Sequence, residues 1–217
     1  MKGINMSSGK LVLARHGESE WNLAGKWTGW TDVSITDKGA ADARKMGELL
    51  TDFKFDEVFV SKLKRTIETA ENILSTQGQP DLELQAVEPL NERDYGDYTG
   101  LNKWDVKEKV GEDTFNAIRR NYDEPIPNGE TLHDVYDRVV PWYQAEILPK
   151  LLAGENILFV AHGNSIRALV KYIESISDKD IAKFEMVFGT ILIYQVNSDG
   201  KESDKQELHT TIEQTHA

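Results

Sequence analysis

No cysteine occurs among the 217 residues, which excludes disulfides and thiolate metal sites and argues against the small, disulfide-stapled class of secreted domains. No apolar run approaches the ~20 residues that a membrane-spanning helix requires, so no membrane partner is expected. Positive charge is scarce. The 25 lysines and arginines stand against 37 aspartates and glutamates, a formal net charge of −12, which argues against nucleic acid or an anionic membrane surface as a partner. A GxxxxGK[ST] phosphate loop is missing, so a nucleoside triphosphate is not indicated. The opening MKGINMSSGK has no apolar core of the kind a secretory signal carries. Residues 1–9 are therefore expected to be a disordered lead-in, and the protein cytoplasmic. No internal repeat or low-complexity tract is seen.

What remains is an alternation of short apolar runs and amphipathic stretches. Residues 10–14 (KLVLA), 55–60 (FDEVFV), 156–161 (NILFVA) and 191–196 (ILIYQV) read as strands. Helical periodicity follows three of them. Thr36 caps a helix with Ala41, Met46, Leu49 and Leu50 on one side, a second helix begins at Ser61, and a third at His162 buries Ile166, Leu169, Val170 and Ile173. Another starts at Thr131 and contains Pro141, which predicts a bend or break. The polar stretch 197–201 (NSDGK) suits a tight turn before a last strand over 207–211. This rhythm predicts one α/β domain over 10–217, its mostly parallel central sheet flanked by helices on both faces. Residues 91–128 break the rhythm; they are polar and end near two prolines. They are expected to form an insertion of short helices and loops over the C-terminal ends of the strands, a lid or substrate-specificity region.

His16 and His162 share a feature that the other three histidines lack: each follows an apolar strand and precedes a glycine, in ARHG and VAHG. If the two strands are neighbours, both imidazoles meet at the sheet edge where α/β proteins bind ligands. Two histidines can also be metal ligands or satisfied core residues. A metal is disfavoured because ligand spacing and nearby carboxylates are missing and the flanking arginines repel a cation. Arginine beside histidine points instead to phosphate: the guanidinium pairs with phosphoryl oxygens, and a neutral imidazole nitrogen can attack phosphorus. A second, cationic histidine would stabilise the charge in transfer.

The segment LARHGESEWN (13–22) resembles the RHGE signature of the histidine phosphatase superfamily. WTGWTD (27–32), SKLKRTIET (61–69), NERDYGDYTGLNK (91–103), the Arg119–Arg120 pair and AHGNSIRALVKY (161–172) resemble its cofactor-dependent phosphoglycerate mutase branch. The resemblance implies interconversion of 3-phosphoglycerate and 2-phosphoglycerate through a phosphohistidine, primed by 2,3-bisphosphoglycerate and without metal. It implies that His16 is the nucleophile and His162 its electrostatic partner. Arg15, Arg65, Asn22, Gly163 and Asn164 would hold the transferring group, and Glu92 would be the acid/base. Thr28, Gly29, Arg93, Tyr95, Lys103, Arg119 and Arg120 would bind the carboxylate and the other phosphate of a small anionic phosphorylated substrate.

Some readings stay open. The Arg119–Arg120 pair could be a solvated helix face, and Trp21, Trp27 and Trp30 are expected to be packing residues. The chain departs from the mutase pattern at Asp94, where an aromatic residue or histidine is usual, and at Phe188 and Ile191, where threonine and proline are. The central insertion is shorter than in longer bacterial members, so their oligomer contacts do not carry over, and an oligomer is left open. A phosphatase on the same scaffold would use the same residues, with water as acceptor. A catalytically silent binding protein is opposed by the presence of Arg15, His16, Arg65, Glu92 and His162 together.

Overall fold

The structure, a computed structural model, describes residues 8–210. Most of the lead-in expected over 1–9, and the end of the chain from 211, lie outside the described residues. Six strands form one sheet in the order β3-β2-β4-β1-β5-β6. β1 (Leu11–Arg15), β2 (Glu57–Ser61), β3 (Leu84–Val87) and β4 (Ile157–Ala161) are mutually parallel, while β5 (Thr190–Val196) runs antiparallel to β1 and pairs antiparallel with β6 (Glu202–His209). The architecture is the α/β fold with a mostly parallel sheet that the sequence predicts.

The pleat sends alternate residues to opposite faces. Leu11 and Leu13 enter one apolar core with Phe159 and residues of α6 (Leu132–Trp142) and α8 (Gly163–Ile173). Val12 and Ala14 enter the other, with Val58, Val60 and residues of α2 (Asp37–Leu49) and α3 (Lys64–Gln77). Burying each Leu, Ile, Val or Phe contributes about 1.5–3 kcal/mol, so both faces hold β1 and β4 at the centre. A third, smaller core of Trp27, Val106, Phe115, Ile118 and Ile126 belongs to the central insertion. There a 3₁₀ turn at Gly96–Tyr98 precedes α4 (Lys103–Val110) and α5 (Glu112–Arg120). The remaining helices are α1 (Glu20–Leu23), capped by Ser19, and α7 (Leu148–Leu152).

Three local readings are corrected and a fourth agrees. β3 was not expected, because an edge strand whose Gln85 and Ala86 are exposed carries no apolar pattern. β6 begins at Glu202, five residues before the strand expected from 207, because pairing with β5 across the 197–201 turn sets its extent, not its charged sequence. Ser61 ends β2 instead of opening α3, whose first helical residue is Lys64. The break expected at Pro141 is present: α6 ends at Trp142, one residue later, and the backbone widens to π geometry over Tyr143–Ile147, between Pro141 and Pro149, before α7.

Candidate active site

The register pairs Arg15 of β1 with Ala161 of β4, so His16 and His162 leave adjacent strands side by side. Their ring centroids are 4.9 Å apart, and the His16 N–H donates to the Ala161 carbonyl at 2.9 Å. The His16 Nδ1 lies 2.7 Å from the Gly17 carbonyl. A carbonyl only accepts, so Nδ1 carries the proton and Nε2 keeps its lone pair. Burial, with the Arg65 and Arg15 guanidiniums nearby, holds the His16 pKa well below the ordinary histidine range, although the Gly17 bond works the other way. The ring is therefore neutral at pH 7. Gly17 has to be glycine, since a Cβ there would lie 2.5 Å from the Gly39 carbonyl oxygen.

His162 caps α8 and is also held neutral, by burial and by Arg65, His16 and Arg15. It does not stand as the cation that the sequence reading expected. Arg65 Nε donates to its Nδ1 at 3.2 Å, which leaves the proton on Nε2, 2.8 Å from Ser61 Oγ. Ser61 Oγ also accepts from the Leu63 N–H and lies 2.8 Å from Thr66 Oγ1, and Thr66 donates to the Leu63 carbonyl. Every donor in this chain has an acceptor, so the tautomer of His162 is fixed from beneath. Ser61 and Thr66 were not singled out from the sequence. The available signal was that Ser61, like each histidine, stands at the carboxyl edge of the sheet.

Each guanidinium nitrogen of Arg65 makes one bond within the protein, which leaves one N–H on each terminal nitrogen. Beyond His162, Arg65 donates to the carbonyls of Thr31 and Gly29, at 2.9 and 2.8 Å, and burial draws its pKa down to about 10. Arg15 donates to the Met186 carbonyl at 2.8 Å and lies 3.8 Å over the Phe188 ring, while its buried Nε has no protein acceptor among the described residues. Glu92 sits at the start of α8, where Oε1 accepts from the N–H groups of Arg93 and Asn164, at 2.8 and 3.2 Å. A Cβ built on Gly163 would be 3.9 Å from both Glu92 Oε2 and Arg15 Nε, so the second carboxylate oxygen faces the same small space as the guanidinium. Asn164 donates from Nδ2 to the Tyr95 hydroxyl at 2.9 Å and accepts from Arg167 at 3.0 Å.

The other predicted residues form the surround. Gly29 has φ +51°, and its carbonyl is taken by Arg65. Thr28 is buried with a hydroxyl that has no partner among the described residues. Asn22 commits Oδ1 to the Ser19 N–H and hydroxyl, at 3.1 and 2.8 Å. Lys103 opens α4, and burial together with Arg119 and Arg15 lowers its pKa to about 8. Arg119 lies 5.4 Å over the Phe115 ring, and Arg120 donates to Glu185 at 2.7 Å.

Arg93 is wholly buried over the Tyr95 ring. One of its NH groups bonds to the Ile118 carbonyl at 2.8 Å, whereas Nε and the other NH lack protein partners among the described residues. Arg167, also not singled out, donates to the carbonyls of Arg119 and Arg120, at 3.3 and 2.7 Å. Two buried guanidiniums thus cap the last carbonyls of α5 and fix where the Arg119–Arg120 pair stands.

Trp27 is a core residue as expected, but Trp30 is 41% exposed and donates to the Glu92 carbonyl at 2.6 Å. Asp94 turns its carboxylate onto the Gly96 N–H at 2.8 Å, a local turn, and Ile191 is core. Among the described residues no group of three His, Cys, Asp or Glu side chains could hold a metal ion, and no helix is long and apolar enough to cross a membrane.

A family model for the histidine phosphatase superfamily (branch 1) matches residues 11–208. A 2,3-bisphosphoglycerate-dependent phosphoglycerate mutase of Rhizobium meliloti (strain 1021) is 43% identical over 203 residues, 93% of this chain and 96% of the relative. One from Methylobacterium sp. (strain 4-46) is 46% identical over 200 residues, 91% and 96% of the two chains. Among solved structures, the alpha-ribazole phosphatase of Shigella flexneri superposes with a TM-score of 0.74 at 26% identity, covering 88% of this chain and 92% of its own.

Proposed function

The chain belongs to branch 1 of the histidine phosphatase superfamily, and from that premise we propose how its residues divide the work of a 2,3-bisphosphoglycerate-dependent phosphoglycerate mutase. The relatives are named 2,3-bisphosphoglycerate-dependent phosphoglycerate mutase, which supports interconversion of 3-phosphoglycerate and 2-phosphoglycerate as the reaction of this enzyme. The observation that carries the assignment of residues is the bare Nε2 of His16, a neutral nucleophile between two arginines.

2,3-Bisphosphoglycerate supplies the phosphoryl group that loads the enzyme. The residues present suit so anionic a ligand, because Arg15 Nε, Thr28 Oγ1 and two nitrogens of Arg93 are buried without protein partners among the described residues. In the loading half-reaction, the His16 Nε2–phosphorus bond forms as the donor's phosphorus–oxygen bond breaks. In the other half, the substrate hydroxyl oxygen bonds to phosphorus, the nitrogen–phosphorus bond breaks, and Glu92 Oε2 takes the hydroxyl proton. The same proton returns to the leaving oxygen when the second phosphoryl group moves to His16.

Arg15 and Arg65 face the charge on the transferring group, and the Gly163 and Asn164 end of α8 adds its dipole. His162 keeps Arg65 aligned. Thr28, Gly29, Arg93, Tyr95, Lys103, Arg119 and Arg120 hold the substrate's remaining anionic groups, and Asn22, whose Oδ1 is taken by Ser19, is assigned to the transferring group through its amide donor. The arginines supply the positive charge that a metal would otherwise bring, so we infer a metal-free reaction in the cytoplasm, with neither nucleic acid nor membrane as partner. Residues 91–128 are read as the region that retains the doubly phosphorylated intermediate.

The test is incubation with 3-phosphoglycerate, with and without catalytic 2,3-bisphosphoglycerate and with a chelator, following 2-phosphoglycerate and free phosphate together. Primer-dependent 2-phosphoglycerate that survives the chelator is expected. Free phosphate as the dominant product would make the protein a phosphatase on the same floor.

A further inference from the structure

Residues 184–189 link a 3₁₀ turn at Asp180–Lys183 to β5 and form one side of the site. Arg15 pins this segment twice, through the Met186 carbonyl and the Phe188 ring. Glu185, one residue before Met186, reaches across to Arg120, with Oε2 2.7 Å from the guanidinium. An acid is an unexpected component here. Every other charged group that the sequence reading assigned to the substrate's distal end is cationic, and Glu185 also lies within the electrostatic field of Arg15, Lys103 and Arg119.

The backbone at Arg120 cannot shift to choose partners, because Arg167 holds its carbonyl. Its guanidinium can. Side-chain exposures of 26% for Arg120 and 43% for Glu185 leave the pair open to exchange, and ion pairs this exposed contribute little to stability. We propose that Glu185 is a specificity-determining residue: it acts as a built-in counter-anion that an anionic group of the ligand must displace from Arg120. Glu185 thereby limits how tightly the site holds its most highly charged ligand. This rests on the reading of Lys103, Arg119 and Arg120 as the distal anion site.

The physical consequence is graded by ligand charge. A ligand whose second phosphate reaches Arg120 both breaks the pair and feels the carboxylate's repulsion, whereas a monophosphorylated ligand meets less of either. Weakened retention suits a primer that has to enter and leave. The opposite role, Glu185 orienting Arg120 for the ligand, predicts the opposite sign on removal.

The experiment is equilibrium binding by calorimetry in a His16→Ala background, where no transfer occurs, with 2,3-bisphosphoglycerate and 3-phosphoglycerate as probes. Glu185→Gln is expected to tighten bisphosphoglycerate binding about fivefold and 3-phosphoglycerate binding less. Glu185→Asp should stay near the parent affinity, and the tightening should vanish in an Arg120→Ala background. Unchanged or weaker bisphosphoglycerate binding in Glu185→Gln, with the melting temperature preserved, overturns the proposal alone. Failure of the His16→Ala protein to bind bisphosphoglycerate at all overturns it together with the function it rests on.

Discussion

His16 and His162 are 3% and 0% exposed, and each is oriented by bonds that close within the protein: Gly17 for one, Arg65 and the Ser61–Thr66 pair for the other. Arg120 and Glu185, a few residues from the same space, are partly exposed and held by an ion pair that solvent or ligand can exchange. The floor is made from strand ends between two apolar cores, whereas α4 and α5 rest on a small core of their own. Orientation on the floor is settled when the chain folds, so no reorganisation is left for the moment of transfer. The groups above it can be traded, which suits binding and release. A single site thus separates reactivity from retention, and a phosphatase and a mutase can share the first while differing in the second.

The sharpest way to break this division is at the floor. His16→Ala should abolish both turnover and acid-labile labelling from 2,3-bisphosphoglycerate; a variant that still labelled on histidine would remove His16 from its place. The next effect belongs to the wall. Arg119→Ala with Arg120→Ala should lower mutase activity by at least about a hundredfold, as two charge-assisted contacts of about 1.5–3 kcal/mol each are lost. The share of turnovers ending in free phosphate should rise. Product ratios measured under identical priming decide this, and an unchanged ratio would make the pair a solvated helix face.

The smallest effect is a titration. Lys103 is cationic below about 8 and loses its charge as pH rises through that value. The kcat/KM profile, which reports the free enzyme, should fall severalfold across that limb, and Lys103→Arg should move the limb upward. On the acid side no limb from His16 is expected near 6.5, because burial and its arginine neighbours keep it neutral well below that pH.

The legibility of the sequence follows the same division. β1 and β4 are buried on both faces, so their apolar runs announce them, and the paired ARHG and VAHG endings place both histidines correctly. β3 and β6 sit at the sheet edges, where pairing with a neighbour and not residue pattern decides the fold, so one was missed and the other misplaced. Ser61 was read into a helix because KLKRTIETAENIL is helical from Lys64 onward. Glu185 left no trace at all: its partner lies 65 residues away, and no spacing rule connects them. Trp30 looked like packing because a tryptophan's usual fate is burial, yet its ring is used for one donor, to the backbone of Glu92.

The α4–α5 excursion is fastened at both ends. Lys103 N–H bonds to the Gly25 carbonyl beside the Lys26–Asn102 bridge, and the last carbonyls of α5 are capped by Arg93 and Arg167. Its apex, Gly111, has φ +82° and open space around it: a Cβ there would touch nothing within 4 Å. The apex thus has open space on its outer side, while the two ends of the excursion are tied to the rest of the protein. Residues added at that apex grow outward into solvent, while Lys103, Arg119 and Arg120 keep their stations above the histidines. A scaffold of this kind can acquire new outer architecture by insertion, generation after generation, without renegotiating the chemistry beneath.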